Sequence, residues 1–124
     1  MPQSKTDSNI VVIDDDEAVR DSLSALLSSA GFQVNTYESG PSFLESEDVR
    51  VVNCLIVDLE MPELTGLDVL NRLVAEGNMV PVILISGNCG TAAWQRAKRA
   101  SFAACLEKPF SDEQLLEAVR NALD

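Results

Sequence analysis

Residues 51–57 (VVNCLIV) and residues 80–85 (VPVILI) are nearly unbroken apolar runs. They are far shorter than the ~20 residues that a bilayer-crossing helix needs, and they lack the alternation of a strand with one wet face. Such runs fit strands covered on both faces, which a sheet achieves when helices pack on either side of it, and that arrangement goes with parallel strands. The segment between them supplies a helix: Leu67, Leu70, Leu73 and Val74 make an apolar stripe and Gly77 follows as a stop.

The rest of the chain repeats the alternation. Residues 10–13 are a β-branched run; Val19, Leu23, Leu26, Leu27 and Ala30 then recur at helical spacing until Gly31. Residues 33–37 read as a short strand and residues 41–46 as a short helix after Ser39-Gly40. Residues 91–100 read as a helix resting on alanines and Trp94, and residues 103–106 as a last strand. Ser111 caps a final helix whose apolar face carries Leu115, Leu116, Val119 and Leu123. Five strands alternating with five helices predict an α/β fold, a parallel sheet between helix layers joined by right-handed crossovers. No repeat or Gly/Ser linker divides it, so one domain over residues 10–124 is expected, behind a flexible polar segment, residues 1–9.

Apolar residues make up 46% of the chain, enough for a packed core. A formal charge of −11 argues against direct nucleic-acid binding, which rests on neutralising phosphates with a basic face. Arg96, Lys98 and Arg99 cluster against this balance and read as a solvated helix face. Cys54, Cys89 and Cys105 have no metal-like spacing and no histidine to join them, so they read as reduced thiols. No leader pattern opens the chain, and a soluble, cytoplasmic protein is expected.

In open parallel sheets, ligands sit beyond the carboxyl ends of the strands, where the strand order reverses. The expected strands end in Asp14-Asp15, Tyr37-Glu38, Asp58, Ser86 and Glu107-Lys108-Pro109. If the first and third strands are neighbours, three carboxylates converge, with Ser86 and Lys108 flanking them. Clustered carboxylates repel, and a cation relieves them; oxygen donors without His or Cys favour Mg²⁺, which keeps room for phosphate oxygens. Ser86 as a neutral donor and Lys108 as a point charge suit a phosphoryl group, and Asp58 is then the nucleophile that receives it. Asp16 and Glu17 are assigned instead to the first turn of a helix, where its dipole favours acids.

The stretches VVIDDDEAVR (residues 11–20), LIVDLEMPELTGLDVL (55–70), VPVILISG (80–87) and LEKPF (106–110), in this order and at these separations, resemble the receiver domain of bacterial two-component response regulators. Their wording is closest to regulators of the nitrogen-fixation, FixJ-like type. The resemblance implies the flavodoxin-like, CheY-like fold: a doubly wound five-stranded parallel sheet in the order 2-1-3-4-5 with five helices. It implies a phosphoacceptor and not an enzyme in the ordinary sense, with self-catalysed phosphotransfer and slow autodephosphorylation. A sensor histidine kinase or phosphotransfer protein would phosphorylate Asp58. Asp14, Asp15, Asp58 and the backbone carbonyl of Glu60 would serve Mg²⁺, with Ser86 and Lys108 on the phosphoryl oxygens. In such domains the Lys-Pro bond corresponding to Lys108-Pro109 is typically cis, Glu60 and Asn88 match positions that tune dephosphorylation, and an output domain or partner, often transcriptional, reads the switch. The domain would be a monomer or a phosphorylation-dependent dimer.

The resemblance breaks at the switch. The position usually held by an aromatic is Cys105, and the run before it reads Ala100-Ser101-Phe102-Ala103-Ala104, so the pocket is complete while the relay is atypical. Cys89, near the pocket, suggests a redox sensor, although an acidic site raises a thiol pKa and free cysteines are more often inert. Two other functions compete: a pseudo-receiver that binds partners constitutively, and a Mg²⁺-dependent phosphatase of the haloacid dehalogenase type, whose nucleophile would normally end the first strand.

Overall fold

The structure is a computed structural model and describes residues 8–59, 61, 64–87, 89–90, 92, 95 and 103–124. The elements run β1 (Asn9–Ile13), α1 (Glu17–Ser29), β2 (Gln33–Tyr37), α2 (Gly40–Leu44), α3 (Asp48–Val51), β3 (Cys54–Asp58), α4 (Gly66–Ala75), β4 (Val82–Ser86), β5 (Ala103–Glu107) and α5 (Asp112–Leu123). The sheet has the order β2-β1-β3-β4-β5, with every neighbouring pair parallel. This is the expected doubly wound, flavodoxin-like order. The helix expected over residues 91–100, with Trp94 and the basic cluster, lies outside the described residues apart from Ala92 and Gln95.

The two apolar runs become the two central strands, buried at every residue. Their alternate side chains feed separate cores. On one face Val11, Ile13, Leu55, Val57 and Leu84 meet Phe43 of α2 and Val69, Leu70 and Leu73 of α4. On the other, Ile10, Val12, Ile56, Ile83 and Ile85 meet Leu23 and Leu27 of α1 and Leu115 and Val119 of α5. At about 25 cal/mol per Å² of apolar surface removed from water, these two layers dominate the stability.

The structure departs from the sequence reading in places: the short helix runs Gly40–Leu44 instead of 41–46, the helical turn Asp48–Val51 was not foreseen, and β5 extends to Glu107. Residue 51 ends a helical turn instead of starting a strand: the Val52 N–H is held by the Asp48 carbonyl at 2.9 Å, leaving Val51 53% exposed, and pairing with β1 is taken up at Asn53. β4 starts at Val82, after Pro81, which has no N–H to give the ladder. On α4, Val69 is fully buried whereas Val74 is 42% exposed, so the inward stripe runs through Leu67, Val69, Leu70 and Leu73.

The cysteine expectation is also corrected. Cys89 and Cys105 form a disulfide, their Cα atoms 6.2 Å apart. Cys54 remains a thiol, and burial pushes its pKa up to about 12. Sequence spacing did not pair the two cysteines; the fold does, because Cys105 lies opposite Leu84 and the chain leaving β4 stays over β5.

Candidate functional site

The site is built from the exits of β1, β3, β4 and β5. Asp14 follows β1 and is 2% exposed; its N–H donates to the Tyr37 carbonyl of β2 at 3.1 Å, and its own carbonyl accepts from the Arg20 guanidinium at 2.7 Å. These bonds fix the backbone where the chain turns from strand to helix. Asp14 Oδ1 accepts from the Asp16 N–H at 2.9 Å, and Asp16 in turn caps α1 by accepting from the Ala18 N–H. Asp16 is thus a structural cap, while Arg20, which carries no sequence motif of its own, pins the acidic turn from the first turn of α1.

Asp58 ends β3 and is 7% exposed. Asp14, Asp15 and Asp58 each bring a carboxylate oxygen within 4.8 Å of the others, Asp15 from the exposed side. Lys108 reaches in from the loop after β5, its Nζ donating to Asp58 Oδ2 at 3.3 Å, and its backbone N–H donates to the Ser86 carbonyl at 2.8 Å. The Lys108-Pro109 peptide is cis. Ser86, fully buried, ends β4 one residue beyond the pairing of Asp58 with Ile85. Asp14, Asp15, Asp58, Ser86 and Lys108 therefore meet at one end of the sheet. Glu60 and Asn88 lie outside the described residues, as does Phe102. Cys105 sits further back in β5, held to Cys89.

The electrostatics are unbalanced. Among the described residues one ammonium faces three carboxylates, and Asp14 bears the cost: burial, then the charges of Asp58 and Asp15, raise its pKa, against the Asp16 N–H and Lys108, which lower it. Asp14 Oδ2 is buried without a hydrogen-bond partner. An orphaned carboxylate oxygen beside two more carboxylates, with no nitrogen or sulfur donor among them, fits a hard divalent cation. A cleft of about 250 Å³ opens beside Asp15, lined by Glu38, Ser39, Pro41, Met61 and Leu64.

Behind Asp58, Thr65 forms a capping box with Asp68 at the start of α4, and Gly66 lies against the Asp58 backbone. This contact was not foreseen from the sequence; the pattern Thr-Gly-Leu-Asp, an N-cap residue three before an acid, was its available signal.

Comparison with known proteins places this geometry. The family model for the response regulator receiver domain matches residues 10–120. The chain belongs to that family. It is 39% identical over 117 residues to the response regulator protein TmoT of Ectopseudomonas mendocina, covering 94% of this chain and 53% of that protein. It is 35% identical over 118 residues to the transcriptional regulatory protein FixJ of Bradyrhizobium diazoefficiens, covering 95% and 58%. The crystal structure of FixJ-N superposes with a TM-score of 0.85 at 34% identity, over 94% of both chains. The chain is thus a FixJ-like receiver domain and spans about half the length of the curated relatives it matches. Membership in a signalling family sets aside the phosphatase alternative, whose nucleophile would end the first strand. No helix among the described residues is long and apolar enough to cross a membrane.

Proposed function

We propose that this domain is the phosphoacceptor of a two-component system, taking a phosphoryl group from a sensor histidine kinase or phosphotransfer protein onto Asp58. The observation that carries this reading is the buried Asp58 carboxylate, paired with the Lys108 ammonium at 3.3 Å and crowded by the carboxylates of Asp14 and Asp15. In the transfer, an Asp58 oxygen forms the new bond to phosphorus as the bond from phosphorus to the donor nitrogen breaks, and the departing imidazole keeps its electron pair and takes up a proton. Lys108 neutralises charge on the transferring oxygens and Ser86 donates a hydrogen bond to one of them. The buried floor of the site keeps bulk water off one side of Asp58, which suits a slow autodephosphorylation.

Asp14, Asp15, Asp58 and the Glu60 carbonyl would hold Mg²⁺, which when bound supplies positive charge to the phosphoryl oxygens. Glu60 and Asn88 are the residues assigned to tuning dephosphorylation. An apolar groove of about 480 Å³ beside Lys108, between Val19 and Leu26 of α1 and Pro109 and Phe110, suits a helical kinase or phosphotransfer partner delivering the group. The output would be a following domain or a protein partner, transcription being the reading that similarity to FixJ favours. A cytoplasmic location fits such partners, and the domain, residues 10–124, would act as a monomer or dimerise on phosphorylation. The charge of −11 leaves nucleic-acid contact to the output.

The test is intact-protein mass after incubation with phosphoramidate and Mg²⁺. One added phosphoryl group, absent in Asp58→Asn and absent without metal, is the expected result; no gain in the parent leaves a constitutive docking module as the better account.

The raised Asp14 pKa sets a second expectation. A carboxylate that binds its proton more tightly when folded contributes stability that is present below its unfolded pKa, near 3.8, and is lost as pH rises through the raised folded value. Mg²⁺ opposes that loss by binding the ionised form. The rise in melting temperature on adding Mg²⁺ should therefore be large at neutral pH and vanish near about pH 4. A rise independent of pH would mean that the cation binds elsewhere.

A further inference from the structure

Cys89 and Cys105 do nothing in the chemistry above, yet their bond joins the chain leaving β4 just after Ser86 to β5, the strand that leads into Lys108. The loop leaves β4 at Ser86 and is tied to β5 twice within two residues: the Cys89 N–H donates to Glu107 Oε1 at 2.9 Å, and Cys89 Sγ is bonded to Cys105 Sγ. The strand receiving both ties is in register with β4 there, Leu84 opposite Cys105 and Ser86 opposite Glu107. Both cysteines are half-buried, between the exposed Gly87 and Gly90 on one strand exit and the exposed Ala104 on the other. Cys54, fully buried, is a contrasting thiol within the same chain.

We propose that Cys89 and Cys105 form a reversible dithiol–disulfide site, exchanging with low-molecular-weight disulfides such as glutathione disulfide, and that the oxidised form restrains phosphoryl uptake at Asp58. In the exchange, one cysteine thiolate attacks a sulfur of glutathione disulfide, forming a mixed disulfide and releasing one glutathione thiolate. The other cysteine thiolate then attacks the protein sulfur of that mixed disulfide, forming the Cys89–Cys105 bond and releasing the second. Two protein thiols are oxidised, one glutathione disulfide is reduced to two thiols, and the two protons pass to the leaving thiolates. A crosslink between partly exposed cysteines in a domain of this signalling class fits a transient, sensing role better than a structural one.

The restraint follows from space. A phosphoryl group brings three acceptor oxygens to a carboxylate that is 7% exposed, beside a serine that is fully buried, so a wall must give. On the Ser86 side that wall includes Gly87 and Cys89, and the disulfide fastens Cys89 to β5. Reduction removes the covalent tie from Cys89 to β5, and the chain leaving β4 can then adjust with Ser86 to the added oxygens. This second step rests on the phosphoacceptor reading; the thiol chemistry does not.

The experiment equilibrates the chain in glutathione buffers of graded ratio, counts thiols by alkylation under denaturing conditions, and measures phosphoryl uptake from phosphoramidate with Mg²⁺ in each. Alkylation should find three thiols in the reduced chain and Cys54 alone in the oxidised one. Uptake should be about tenfold slower in the oxidised form, the worth of one charge-assisted hydrogen bond withheld. Cys105→Ser and Cys89→Ser should each take up phosphoryl groups at the reduced rate in every buffer. Three alkylated thiols at all ratios overturn the site, and equal uptake by the two forms overturns the restraint. If neither form gains a phosphoryl group, the phosphoacceptor reading fails and the restraint with it, while the thiol count still decides the exchange site.

Discussion

Asp14→Asn should make the metal-free domain more stable and the working domain nearly inert. Asp14 is the group whose pKa the fold raises, chiefly through burial and then through the charges of Asp58 and Asp15, and its Oδ2 is buried without a partner. Replacing that oxygen by an amide NH₂ removes a desolvated charge and turns an orphaned acceptor into a donor aimed among acceptors. The Asn Oδ1 keeps the bond from the Asp16 N–H. Stability without Mg²⁺ should rise by about 1 kcal/mol, or about 4 °C in melting temperature. Phosphoryl uptake should fall by about 100-fold or more, because the amide is a poor Mg²⁺ ligand and the positive charge facing the phosphoryl oxygens is lost. The two effects have opposite signs, which a general loss of structure cannot produce. Thermal melts with and without Mg²⁺, alongside phosphoramidate labelling, decide it: a variant less stable than the parent in the absence of metal would sink the electrostatic argument.

The same contrast between local pattern and long-range packing explains which parts of this protein were legible from its sequence. Residues 51–57 and 80–85 marked the central sheet because a strand buried on both faces leaves no room for polar alternation, and both central strands are buried throughout. The acids at 14, 15 and 58 stood out because each interrupts an apolar pattern at a strand end, where the topology brings them together. What escaped depends on contacts between distant segments. Val51 carries a strand-forming side chain, but the Val52 N–H bond to Asp48 keeps that turn helical. Cys89 and Cys105 are separated by 16 positions, and only the register of β4 with β5 brings them together. Arg20 has no recognisable signal on its own and is placed by the turn after β1, while Gly66 is marked only by the capping pattern around it and its role depends on how closely α4 approaches β3.

That approach makes Gly66→Ala the most damaging single methyl group in the described part of the site. A Cβ on residue 66 would lie 2.7 Å from the Asp58 carbonyl oxygen and 3.0 Å from the Leu59 Cα, both backbone atoms of the chain leaving β3. Neither can rotate away, so α4 and the end of β3 must separate. α4 carries Val69, Leu70 and Leu73 into one of the two cores, all fully buried, so even a small shift loosens close-packed contacts. The cost should be about 3 kcal/mol, or a melting temperature lower by about 10 °C. Gly40 offers a graded comparison, since a Cβ there meets Val69 Cγ2 at 2.7 Å and Leu64 Cδ2 at 2.8 Å, side-chain ends that can move. Gly77 offers another: nothing lies within 4 Å of its Cβ position, and a substitution there faces only the strain of its positive φ of 75°, about 1 kcal/mol. The order of damage should be Gly66, then Gly40, then Gly77. Because Asp58 belongs to the strand end that must move, Gly66→Ala should also slow phosphoryl uptake at temperatures where the variant remains folded. Gly77→Ala should not. Melting curves of the three variants, with phosphoramidate labelling of the folded ones, test this ordering, and a Gly66→Ala melt indistinguishable from the parent would mean that α4 does not rest on the Asp58 backbone.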